Sequence, residues 1–196
     1  MLQQIPTSAL RDSGPVVLET ERLVLRQPTL ADVKAIAGIV GDKRVADNLR
    51  RVPHPYTLDD AVRFVTTVAR TSDTAFLIER EREAVGLVGV SWGSEAAPEL
   101  GYCLGIGHGG KGYATEAARA AIDYAFEEFA IDQLLAGARV LNPASRHVLE
   151  KCGFQWTGVE LHRSLALGSS TPVDRFKLER AVWASLKSWG NAARRT

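Results

Sequence analysis

A chain of 196 residues, 45% hydrophobic and 24% charged, is long enough for one sizeable core and reads as a single domain over 1–196, with residues 1–14 as a loose arm. Its 24 basic and 23 acidic residues leave a formal net charge of +1, which gives no whole-molecule argument for binding nucleic acid or a membrane surface. Cys103 and Cys152 stand far apart with no metal-ligand spacing. The N-terminus lacks a basic start and apolar run, and the longest apolar stretch, 84–90, contains glycines. Two reduced thiols, no metal site, no membrane span and a cytoplasmic location are therefore expected.

In chain order, partial alternation over residues 18–27 predicts a strand. Thr29-Leu30-Ala31-Asp32 is a capping box before an apolar helix ending at Gly41, and Thr57-Leu58-Asp59-Asp60 repeats the start signal before an amphipathic helix. The period then changes. Residues 75–78 and 84–92 are rich in β-formers and flank the charged turn 79–83, as in a hairpin, and 99–104 is a third strand of this group. A glycine-rich turn follows, then a long helix from 114 to about 129 with Ala117, Ala118, Ala121, Ile122, Ala125 and Phe126 on one face. Residues 134–140 read as a strand, and 144–151 as a short helix with Gly153 as its C-terminal cap. Two closing strands, about 156–167 and 173–179, flank the turn 168–170. This order predicts an α/β (α+β) fold, a mixed sheet of about seven strands with helices on its faces.

The turn Gly107-His108-Gly109-Gly110-Lys111-Gly112-Tyr113-Ala114-Thr115 lies where a helix's free N–H groups and dipole hold an anion. Gly105, Gly107 and Gly110 satisfy the dinucleotide pattern G-x-G-x-x-G, but the next strand ends Arg139-Val140-Leu141 without the acid that would bind a ribose. Gly105, Gly110 and Lys111 satisfy G-x-x-x-x-G-K, but Gly112 replaces the hydroxyl residue that would bind magnesium.

Three segments together point elsewhere: Lys111 to Ala117, Asn142 to Phe154, and Glu19 to Arg26. Taken in chain order, with Glu19–Arg26 first, they resemble the GNAT acetyltransferase superfamily, in particular its branch of ribosomal-protein N-terminal acetyltransferases (RimJ/RimL-like). The resemblance implies a twisted, mostly antiparallel sheet, with acyl-CoA in the splay between the fourth and fifth strands. It implies an acetyl-CoA-dependent N-acetyltransferase with no metal. Its pyrophosphate would meet Gly109, Gly110, Lys111, Gly112, Tyr113, Ala114 and Thr115. The pantetheine arm would meet the backbone of Tyr102, Cys103 and Leu104, and the Asn142 amide. The superfamily's usual Gln/Arg at the head of the motif is Gly109 here, and its tyrosine on the later helix is Leu149.

An attacking amine must be neutral. Roughly a tenth of an α-amine is neutral at pH 7, against well below a thousandth of a lysine amine. Glu99 is the candidate base, or a solvated carboxylate at a strand end; Glu116 is the weaker alternative, since it also suits the helix dipole. Ser145 is the candidate contact for the departing thiolate, or a helix cap; Asn142 is a ligand contact or a turn residue before Pro143. His54, Tyr56 and His108 are loop residues near the expected site, and Trp92 and Trp156 are expected in the core or a groove wall. The acceptor implied is a protein N-terminal α-amine. A small amine such as an aminoglycoside or polyamine is the alternative, and a non-catalytic acyl-CoA sensor is the reading from a different class. A homodimer is admitted.

Overall fold

The computed structural model describes residues 16–71, 73–93 and 97–193, with main chain alone at 190–193. The arm expected over 1–14 lies outside the described residues. The strands are β1 (Val17–Glu19), β2 (Val24–Arg26), β3 (Thr74–Arg80), β4 (Glu83–Ser91), β5 (Glu99–Leu104), β6 (Gln133–Arg139), β7 (Gln155–Ser164) and β8 (Ser169–Glu179). They form one eight-stranded sheet in the order β1-β2-β3-β4-β5-β6-β8-β7. Every neighbouring pair is antiparallel except β5 and β6.

The eighth strand arises at the start. The segment expected as one strand over 18–27 turns back at Thr20–Leu23, where Thr20 N–H donates to the Leu23 carbonyl at 2.9 Å, and pairs with itself as β1 and β2. The splay expected between the fourth and fifth strands therefore falls between β5 and β6, the same two segments.

The helices are α1 (Val33–Val40), α2 (Lys43–Ala46), α3 (Leu58–Val68), α4 (Tyr113–Glu128), α5 (Pro143–Lys151) and α6 (Arg180–Ala193). Both capping boxes form: Thr29 opens a single 3-10 turn before α1, and Thr57 opens α3. The short α2 and the closing α6 are additions to the sequence reading. The sheet separates two apolar clusters. On one face, Ala117, Ala118, Ala121, Ile122, Ala125 and Phe126 of α4 pack on Phe76, Val88, Leu100, Leu134, Ala136, Phe176 and Leu178. On the other, Ile36, Val40, Ala61 and Val65 of α1 and α3 pack on Leu77 and Leu87. The alanine stripe lets α4 lie close to the strands, since a methyl group holds the helix off less than a longer side chain would. Strand alternation then decides which chemistry faces which helices.

The two tryptophans expected in the core or a groove wall are half-exposed, at 40% for Trp92 and 52% for Trp156. Trp92 meets the Phe129 ring edge-on, and Trp156 Nε1 donates to Asp174 Oδ1 at 2.8 Å. Both line surfaces rather than fill the core.

Candidate active site

The parallel pair β5–β6 holds only at its beginning, with Glu99 opposite Leu135 and Leu100 opposite Ala136. Beyond Leu100 the strands part, while β5 stays fully paired to β4 as far as Leu104. The main chain of Gly101 to Leu104 therefore presents an edge with no strand partner inside the sheet. Unpaired N–H and C=O groups of this kind accept an extended ligand as they would another strand. Tyr102, Cys103 and Leu104 supply that edge. The Cys103 side chain points into the α1–α3 cluster, where burial pushes its thiol up to about 12.

At the open end of the fork, Ile106–His108 form a short 3-10 turn that delivers the chain to α4. Gly110 (φ +75°) and Gly112 (φ +84°) take left-handed backbone, which favours glycine. Gly112 is the N-cap of α4, and no side chain caps that end. The first turn of α4 thus keeps its N–H groups and the positive end of its dipole for an anion. A Cβ at Gly107, Gly109 or Gly110 would meet open space. Lys111 Nζ donates to the Gly107 carbonyl at 2.9 Å, so the turn folds over itself with the ammonium beside it. His108 packs inward against Gly105, its Nε2 at 3.7 Å from Glu83, away from the anion seat.

Glu116 has a structural occupation. Its Oε1 accepts from Thr20 Oγ1 at 2.7 Å and from Arg22 N–H at 2.8 Å, and its Oε2 accepts from Arg22 Nε at 2.7 Å. Burial works against its charge, but these hydrogen bonds outweigh it and hold the carboxyl below the usual range. With both oxygens so engaged, Glu116 fastens the β1–β2 turn to α4. Arg22 continues the link, donating from Nη1 to the Lys111 carbonyl at 3.0 Å and lying 5.0 Å over the Tyr113 ring.

On the α4 side of the fork, Asn142 caps α5, its side chain accepting from Ser145 N–H at 3.1 Å. The cap occupies the amide oxygen and leaves the amide NH₂ without a partner among the described residues. The Tyr102 hydroxyl reaches across from β5 to α5, at 2.9 Å from both the Ser145 carbonyl and Ser145 Oγ. Burial raises the Tyr102 phenol far above its ordinary value. Leu149, at the superfamily's tyrosine position, is wholly buried in the core. The phenol of this neighbourhood comes from the strand instead.

Glu99 lies on the opposite face, the α1–α3 side, within a closed ring of charged side chains. Its Oε2 accepts from Arg50 Nη2 at 2.6 Å and its Oε1 from Arg175 Nη1 at 2.7 Å. Arg50 Nη1 meets His162 Nδ1 at 2.8 Å, His162 Nε2 meets Glu160 Oε2 at 2.8 Å, and Glu160 lies 3.4 Å from Arg175 Nε. A guanidinium only donates, so His162 Nδ1 is the acceptor and the ring proton sits on Nε2, facing Glu160. Gly137, the first β6 residue past the last β5–β6 pair, makes room for the ring. A Cβ there would lie 3.2 Å from Arg175 Nη1 and 3.7 Å from Glu99 Oε1. Glu99 therefore sits at the apex of the fork.

The sequence singled out Glu99 but not Arg50, Glu160, His162 or Arg175, which the fold gathers around it, and named Tyr102 for its backbone alone. One signal was present: the adjacent charges Asp174 and Arg175 fall in the middle of a strand, and both are buried, at 4% and 6% exposed. His54 is exposed, while Tyr56 is half-buried, its phenol pushed up to about 12 by burial. Neither enters the ring. Among the described residues, no helix is long and apolar enough to cross a membrane, and no cluster of His, Cys, Asp and Glu is arranged to hold a metal ion.

Residues 22–155 match the acetyltransferase (GNAT) domain model. An uncharacterized N-acetyltransferase, p20, of Bacillus licheniformis is 26% identical over 174 residues, covering 85% of this chain and 98% of that protein. Among solved structures, RimJ of Mycobacterium smegmatis, in complex with a CoA disulfide, superposes with a TM-score of 0.71 at 18% identity, covering 81% of this chain and 82% of its own. Spermidine N-acetyltransferase of Vibrio cholerae, in complex with CoA and spermine, superposes with a TM-score of 0.72 at 20% identity, covering 84% and 98%. At these identities the structural likeness speaks for the fold. The match across more than half of the chain, on a fork flanked by an uncapped helix N-terminus, makes this protein a member of the GNAT acetyltransferase family.

Proposed function

We propose that the protein moves an acetyl group from acetyl-CoA to an α-amine, with a protein or peptide N-terminus as the acceptor. The observation that carries this reading is the position of the Glu99 ring at the apex of the β5–β6 fork, on the face opposite the α4 anion seat. A donor bound along the fork and an acceptor entering from the α1–α3 face would meet there.

The residues present fit acetyl-CoA. The main-chain N–H groups of Gly109, Gly110, Lys111, Gly112, Tyr113, Ala114 and Thr115 would hold its pyrophosphate, with Lys111 beside them. The edge from Tyr102 to Leu104 and the Asn142 amide would hold the pantetheine arm. Acetyl-CoA supplies an activated acyl group. Glu99 orients the amine by accepting its N–H and takes up the proton, directly or through water. Ser145, backed by the Tyr102 hydroxyl, donates a hydrogen bond to the departing sulfur.

The ring bears on the kind of amine. Arg50 and Arg175 offset the charge of Glu99 and fix its rotamer, which suits it to orient an amine that is already partly neutral. An α-amine meets that condition and a lysine amine does not. A polyamine or aminoglycoside would bring further positive charge to a wall where Arg50, Arg51 and Arg175 outnumber Glu99 and Glu160. Both acceptor types occur among structurally similar proteins, as the names ribosomal-protein-S5-alanine acetyltransferase and spermidine N-acetyltransferase indicate.

Two measurements test this. Thermal shift against acetyl-CoA, longer acyl-CoAs, ATP and NAD should show stabilisation by the CoA esters alone, about 2.7 kcal/mol at a hundred times the dissociation constant. Release of CoA thiol should then follow addition of peptides with free N-termini, not of spermidine or kanamycin. Tight acetyl-CoA binding with no turnover on any amine would replace the enzyme by a sensor.

A further inference from the structure

Resting on that reading of the site, we propose that Arg51 recognises an anionic group on the acceptor, a carboxylate or phosphate placed close to the reacting α-amine. Arg51 follows Arg50 in the loop that closes the α1–α3 face. Its guanidinium donates from Nη1 to Ser91 Oγ at 3.1 Å, and its Nη2 lies 3.6 Å from Glu99 Oε2. That oxygen already accepts the Arg50 guanidinium at 2.6 Å. Arg51 therefore has no carboxylate of its own among the described residues, and its side chain is 53% exposed.

A guanidinium carries five N–H donors in a planar fork. Ser91 takes one of them, and the approach to Glu99 is too long for a good hydrogen bond. The guanidinium stands half-exposed beside the fork apex, with Nη2 near Gly93 and donors left over for a ligand. Arg50 and Arg175 fix Glu99 at 2.6 and 2.7 Å; the third guanidinium, Arg51, stands farther off at 3.6 Å and is not needed for that task. Its placement is that of a reader. An amine held on Glu99 puts the substituents one or two residues along the acceptor within reach of Arg51. A carboxylate or phosphate there would meet the donors pairwise, while an ammonium would be repelled.

Four peptides differing only at the second residue, Ala-Asp, Ala-phosphoserine, Ala-Asn and Ala-Lys, test the inference on the full chain. Calorimetric binding to the CoA-saturated protein and acetylation of each peptide are measured separately. The Asp or phosphoserine peptide should bind at least tenfold more tightly than the Asn peptide, with the Lys peptide weaker still. The larger gain identifies which anion is read. Arg51→Gln should abolish the difference, Arg51→Lys should keep part of it, and acetyl-CoA binding should be unchanged in both. Equal binding of the Asp, phosphoserine and Asn peptides, no binding of any, or a preference that survives Arg51→Gln overturns the proposal. Selective binding without acetylation leaves the anion reader standing and removes the transferase reading for peptides. Acetylation without preference does the reverse.

Discussion

Arg22 and Glu116, 94 residues apart, meet through two guanidinium contacts of 2.6 and 2.7 Å and a main-chain bond of 2.8 Å. This pairing fastens the first turn of the sheet to the first turn of α4, the end left without a side-chain cap. Because Arg22 also donates to the Lys111 carbonyl, the glycine-rich turn is held from outside by a residue distant in sequence. The open N–H groups are thus preorganised without a side chain entering the space they face.

Gly112 is the most sensitive point of that turn. It combines φ of +84° with Arg22 Nη2 at 3.2 Å from the place a Cβ would take. Gly112→Asp strains the backbone, crowds Arg22 and sets a negative charge where a pyrophosphate would bind. Acetyl-CoA affinity, read by calorimetry, should fall by more than tenfold while the far-ultraviolet circular dichroism is retained. Unchanged affinity would remove the turn from the donor site.

Glu99→Gln keeps the side-chain size at the apex, removes its charge and gives up the bond to Arg50 or Arg175 that its NH₂ cannot accept. Turnover should drop by about a hundredfold, the low end of general-base effects, with little change in the KM for acetyl-CoA. Raising the pH should restore part of the loss, since more of the amine is then neutral without help. A fully active variant would take Glu99 out of the mechanism.

Tyr102→Phe deletes the hydroxyl shared with Ser145 and leaves the β5 main chain intact. Turnover should fall several-fold, with acetyl-CoA affinity preserved. Because burial holds the Tyr102 phenol above its ordinary value, its proton stays in place through the working range, and the wild-type rate should show no alkaline loss from this group below about pH 10. The kcat-pH profile checks both statements.

Arg180 joins the end of β8 to the end of α4. Its guanidinium donates to the carbonyls of Phe126, Phe129 and Ile131, each at 2.8 Å, in the region where a helix leaves such groups unsatisfied. Arg180→Leu should cost about 2 kcal/mol and lower the melting temperature by roughly 4–8 °C. A melting temperature within a degree of wild type would show that water serves those carbonyls equally well.

Asp32 gives the fold an acid sensitivity. Arg26 binds it through both oxygens at 2.7 and 2.8 Å and, against the opposing effect of burial, holds its carboxyl down to about 2, with help from the Thr29 N–H. A depressed folded-state value means this stabilisation is complete above the unfolded value of about 4 and is lost as the pH falls towards 2. Denaturant titrations from pH 7 to pH 2 should show Asp32→Asn closing the gap to wild type over that window. A constant gap would place the effect elsewhere.

Local pattern and short motifs determined much of this protein. The capping boxes at Thr29 and Thr57, the alanine face of α4, the hairpin of β3 and β4 and the glycine turn all rest on residues close in the chain, where propensity and periodicity act directly. Three such motifs in order also sufficed to suggest the family. Only the tertiary structure decided how the site is wired. Glu99 is legible as an acid at a strand start, but its partners Arg50 and Arg175 come 49 residues before it and 76 after it. Glu116 reads in the sequence as an alternative base or a dipole companion, and only the folded β1–β2 turn brings Thr20 and Arg22 onto it. The phenol near Ser145 comes from β5, although the sequence comparison pointed to a gap at Leu149. A strand or helix announces itself through its neighbours in sequence; a charged ring closed across four segments does not, because its energy depends on distances that exist only once the sheet has formed.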